Sequence, residues 1–219
     1  MEHIPKAFIS ELVYPPMALA DGPLKELYME VSGRYGFTSF RILPGGTGAQ
    51  FRTDQGKECT ILQDKIIYRD ERTVQTSDDF RQDLSGLIRH LRQRLRVPIF
   101  VMQLIVVRAI VRPTESMTSK EFIDRLLLRF EPDSFEAFGR PGGIGGIVLI
   151  FPRTAAIPDD HRIRIEPFPQ DPKMLIVENS ARFYTPIQSD EQVEANVAAA
   201  CDFLRGPVLE FLQNQIPPE

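Results

Sequence analysis

Acid, base and nucleophile chemistry has few residues to draw on in this chain: three histidines, two cysteines and a scatter of carboxylates. Asp159-Asp160-His161 is the one place where a histidine sits among acids, and with Glu166 it has the residue types of a metal or acid–base site. Neighbouring residues on a strand face opposite ways, and no second histidine or cysteine stands at ligand spacing, so an exposed loop is the preferred reading. His90 falls between Arg89 and Leu91 in a helical pattern, His3 lies near the start of the chain, and neither has a nucleophile beside it. Cys59 on a strand and Cys201 on the apolar side of a helix read as small buried hydrophobes. No serine stands in a nucleophile elbow. No catalytic residue, metal or cofactor is expected, and the chain leans away from being an enzyme.

Anion binding is the chemistry the arginines offer. Arg81, Arg89, Arg92 and Arg96 recur on one face of a helix, away from its leucines, where they could grip phosphates or an acidic partner. A solvated face that complements the helix dipole is the preferred alternative, because no aromatic platform or lysine-rich segment accompanies them. Arg108 sits in an apolar strand, so it must reach a sheet edge, pair with a carboxylate such as Glu11, or point into a ligand site, with an ion pair preferred. Arg89, Arg92, Arg96 and Arg108 are therefore the candidate ligand- or partner-contacting residues. The glycine-rich stretches Pro44 to Gly48 and Pro141 to Gly145 invite a phosphate-cradle reading, but each is followed by a strand instead of a helix, which fits plain turns.

The elements that must position these residues are organised around Ser77 to Arg112. Phe80, Leu84, Leu87, Ile88, Leu91 and Leu95 recur at spacings of three and four, which predicts a helix with Ser77 as N-cap. Ile99 to Val111 follows, an apolar run too continuous for a one-sided surface strand, and so predicts a central strand. Before it come a strand over Ala7 to Tyr14, a helix opened by Gly22-Pro23, and a meander over residues 37–43, 49–53, 57–62 and 65–72. After it come a capping box at Thr118, a helix through Phe122 and Phe130, strands over residues 146–151, 161–168 and 173–185, and a second box at Ser189. The last helix carries Val193, Val197, Cys201, Leu204, Val208 and Leu212, is interrupted at Gly206-Pro207, and ends in a fraying tail.

The landmarks repeat: Pro15 with Pro113, Pro44 with Pro141, Ser77 with Ser189. Two pseudo-repeated β-α-β-β-β-α halves, 1–97 and 98–219, are expected from an internal duplication. Strands grouped between helices predict an α+β fold, a mainly antiparallel sheet with helices on one face, leaving the other face for a partner. With 42% hydrophobic residues the chain can bury an ordinary core unaided. A net charge of -4 argues against whole-surface attraction to nucleic acid, and two cysteines give no disulfide framework. No leader and no membrane-length apolar stretch is read, so a cytoplasmic location is expected.

Five segments carry a family resemblance: Ser10-Glu11-Leu12-Val13, Ala49-Gln50-Phe51, Ser77-Asp78-Asp79-Phe80, Val106-Val107-Arg108-Ala109-Ile110 and Arg162-Ile163-Arg164-Ile165. In these the chain resembles a sporadically distributed family of uncharacterised bacterial proteins of a few hundred residues. The resemblance implies a bacterial protein and no activity. The expectation is thus a non-catalytic cytosolic binding or assembly protein, with a protein partner or self-association, the alanine-rich stretch Ala198 to Ala200 being a place for a homodimer to pack. The alternatives are nucleic-acid or anion binding through the arginine face of helix 78–96, and a small-molecule enzyme.

Overall fold

The computed structural model describes residues 3–71, 76–129 and 145–216. Arg72, Phe130, the turn residues Pro141 to Ile144 and the terminal Pro217-Pro218-Glu219 lie outside them. The first half of the chain forms β1 (His3–Val13), α1 (Asp21–Tyr35), β2 (Ser39–Ile42), β3 (Gly48–Arg52), β4 (Lys57–Leu62), β5 (Lys65–Asp70) and α2 (Ser77–Leu95). The second forms β6 (Met102–Val111), α3 (Ser119–Glu121), β7 (Ile147–Phe151), β8 (Asp159–Pro167), β9 (Leu175–Phe183), α4 (Asp190–Phe203) and α5 (Leu209–Gln213). Widened turns, Phe122–Leu127 and Leu204–Val208, continue α3 and α4; the second holds Pro207, which lacks the N–H an ordinary turn needs.

The nine strands of the described residues join one antiparallel sheet in the order β2-β3-β4-β5-β1-β6-β9-β8-β7. The fold is α+β, and the Ile99–Val111 segment is central to it, as expected. Outward from the β1–β6 pair the strands run β5, β4, β3, β2 on one side and β9, β8, β7 on the other. Strand order is architecture, not ancestry, so the duplication stays an expectation. The first half also has one strand more between its helices than the β-α-β-β-β-α pattern allows.

Among the boundaries that differ from the sequence reading, those of α2 and β6 have a local cause. Thr76, not Ser77, caps α2: its hydroxyl accepts the Asp79 N–H at 3.1 Å, while the Asp79 carboxylate accepts the Thr76 N–H at 3.2 Å. The box needs an acid three residues on, and three residues after Ser77 stands Phe80. The β6 ladder starts only at Met102, because Phe100 pairs instead with Ile187.

Period-2 alternation turns Phe8, Leu12, Ile66, Tyr68, Ile105, Val107, Val177 and Ala181 toward the helices, all buried. Phe80 of α2 stacks on Phe8 and Tyr68 at 5.2 and 5.4 Å, and Tyr28 of α1 meets Phe51 of β3. Inside this apolar layer lies a polar chain. Gln103 donates to Ser10 at 3.1 Å across the β1–β6 pair and accepts from Asn196 of α4 at 2.9 Å.

Candidate functional site

The same alternation points Ile9, Glu11 and Val13 of β1, Ile67 and Arg69 of β5, and Leu104, Val106 and Arg108 of β6 to the opposite face of the sheet. The apolar members of this set are absent from the core cluster that the helices cover. Two rows cross the face in register. One runs Arg69, Ile9, Val106, Ser180, Arg162; the other runs Ile67, Glu11, Leu104, Arg182, Asp160. An aliphatic band therefore lies along β5, β1 and β6, and Ile110 and Ile176 extend it toward one end.

Charged side chains flank the band. On the β4–β5 side Glu58 takes Arg52 at 2.8 Å and Arg69 at 3.8 Å, and Glu11 takes Lys65 at 3.1 Å. On the β8–β9 side Glu178 takes Arg108 at 2.7 Å and Arg164 at 3.1 Å, and Asp160 takes Arg182 at 3.8 Å. Cations outnumber acids here although the chain carries a net -4. Arg69 and Arg164 each keep a buried Nε–H without a hydrogen-bond partner, and among the described residues neither Arg41 nor Arg162 of this face enters an ion pair.

The four candidate arginines are not brought together. Arg89 and Arg92 converge on Asp190 of α4, at 2.7 and 3.8 Å, and Arg81 lies 4.0 Å from Glu194, whose carboxylate also accepts the Ser85 hydroxyl at 2.6 Å. The helix face weighed as a phosphate grip and preferred as a solvated face thus borders the seam between α2 and α4 at Arg81, Arg89 and Arg92. Arg96 is exposed in left-handed conformation at the end of α2, φ 55°. Arg108 lies on the other side of the sheet, and its partner is Glu178, not Glu11.

His161 departs from the exposed-loop reading. It is buried on β8, its Nε2 2.9 Å from Asp159 and its Nδ1 3.1 Å from Asn179, with its ring stacked 3.9 Å from Phe203. Asn179 in turn donates to the Ala200 carbonyl at 2.8 Å. Strand alternation puts Asp159 and His161 on the inner face and Asp160 and Glu166 on the outer one, so the acids do not converge. What forms is a polar clasp between β8, β9 and α4. Ala200 is buried as well, which leaves only Ala199 fully outward in the expected dimer stripe.

Cys59 and Cys201 are buried free thiols, and burial pushes both above the ordinary range. Among the described residues no three His, Cys, Asp or Glu side chains are grouped to hold a metal ion, and no helix is long and apolar enough to cross a membrane.

The sequence reading missed the aliphatic band. Its signal was the largely apolar run Ile99 to Val111, read only as a central strand, although the face opposite the helices was left for a partner. The run is continuous because both faces of β6 are largely apolar, while among the described residues helices cover only one of them. No family model matches the chain, and no curated protein matches it.

Proposed function

We propose that this is a non-catalytic binding protein whose sheet face opposite the described helices holds a segment of another protein, apolar in its centre and acidic at its margins. The observation that carries this reading is the band Ile67, Ile9, Val106 and Leu104 on a face whose exposed Arg41 and Arg162 enter no ion pair among the described residues. A half-buried apolar stripe bordered by charge is a usual form of an interaction surface, and guanidinium groups beside it select carboxylates. The α2 arginines support this choice of face, since Arg89 and Arg92 already spend their charge on Asp190.

Selection of random displayed peptides on the immobilised protein tests it. The enriched peptides should alternate apolar and acidic residues, and Val106→Glu should abolish their binding. Peptides without acids, peptides that bind Val106→Glu equally well, or duplex DNA retained more tightly than any peptide would overturn the assignment.

A further inference from the structure

A cavity of about 280 Å³ opens where β1, α2 and the turn after α4 meet, on the helix-covered side of the sheet. Two irregularities make it. The register of β1 against β6 shifts between Pro5 and Ala7, and the widened turn at Leu204–Val208 lifts the chain from the sheet. Phe8, Val107, Ala109 and Leu204 line it, all buried, and Arg205 with Ser77 stands at its exposed side.

Arg205 is the charge at this opening. It donates to the Ser77 hydroxyl at 2.7 Å, and among the described residues it enters no ion pair, which leaves most of its N–H groups for another acceptor. Asp78, one residue along α2, lies 3.5 Å from Arg81. The other titratable lining groups are neutral near pH 7. Burial pushes the Cys201 thiol up, and burial together with Arg205 holds the His3 imidazole down.

We propose that this cavity binds a small amphiphilic anion, an alkyl or aryl carboxylate, with its apolar body among Phe8, Val107, Ala109 and Leu204 and its carboxylate on Arg205. Since an apolar cavity of about 150 Å³ takes a benzene-sized molecule, this one has space for a chain of roughly eight carbons or a substituted ring. A cation at the edge of an apolar chamber is the arrangement that orients such a ligand.

Calorimetric titration with octanoate, octan-1-ol and octylammonium is the test. Octanoate should saturate the protein at one equivalent, octan-1-ol should bind about ten-fold more weakly for want of the charge-assisted bond, and octylammonium more weakly still. Arg205→Ala, at an exposed position, should reduce octanoate to the affinity of the alcohol, and Ala109→Leu should fill the chamber and abolish both. If Ala109→Leu does not fold, Arg205→Ala still decides. No saturable heat with octanoate, or equal affinity for the three head groups that Arg205→Ala leaves unchanged, would overturn the site.

Discussion

Arg108 and Glu178 stand directly opposite each other across the β6–β9 ladder, and the guanidinium places two N–H groups, at 2.9 and 2.7 Å, on the same carboxylate oxygen. Arg164 donates to that oxygen as well, at 3.1 Å. One acid therefore holds two cations on a half-covered surface, where attraction is screened but not abolished. Glu178→Gln should lower stability by about 1–2 kcal/mol, because two guanidinium groups lose their counter-charge, and Arg108→Lys by less. Urea unfolding of the single and double variants measures this, and the cycle should show coupling between the two sites.

The polar chain Ser10–Gln103–Asn196 leads to the opposite kind of prediction. Gln103→Leu strands a buried hydroxyl and an amide, and should cost roughly 2–3 kcal/mol. Replacing all three, Ser10→Ala, Gln103→Leu and Asn196→Leu, should restore more than half of that loss, since the penalty lies in the orphaned partners. Additive losses in the triple variant would show that the chain stabilises the fold on its own account.

Much of the architecture was legible before any coordinates. The helix stripe from Phe80 to Leu95 is reproduced residue for residue, because three-four spacing is a local property of one element. The capping boxes at Thr118 and Ser189 were read correctly for the same reason. The Thr76 box was missed by one residue, the sequence reading having taken a good cap residue without checking for its acid. His161 and the aliphatic band were missed because burial depends on which face the helices cover, and that is decided by contacts between residues far apart in the chain. Arg108 was read correctly as an ion-pair former, but its partner could not be: Glu178 becomes its neighbour only once β9 lies beside β6.

Gly48 on β3 is a close-approach position. A Cβ built there would sit 1.9 Å from the Ile61 carbonyl oxygen of β4, a backbone atom that cannot swing away. Gly48→Ala should destabilise the protein by about 2 kcal/mol or more, although alanine is the better residue on entropic grounds. Thermal unfolding of the variant checks it, and an unchanged Tm would mean that the β3–β4 pair is looser than described.

Acid should loosen the contact between α1 and α2. Arg94, and after it His90, hold the Glu30 carboxyl below its ordinary value, with hydrogen bonds of 2.6 and 2.7 Å. A depressed carboxylate stabilises the fold fully above its unfolded pKa, about 4.3, and loses that contribution as pH falls through the folded value. Glu30→Gln should therefore be less stable than wild type at pH 7 and converge on it below about pH 4. A constant gap across that range would refute the linkage.

The open sheet face is tested most directly by a pair of charge substitutions at adjacent positions. Val106 points to the side opposite the described helices, whereas Val107 is buried among them. Urea unfolding of Val106→Glu should show a loss of about 1 kcal/mol or less, as at other half-exposed sheet positions, while Val107→Glu should lose several kcal/mol or fail to fold. Comparable, severe losses in both variants would mean that the face is covered, and would contradict the partner-binding reading at its root.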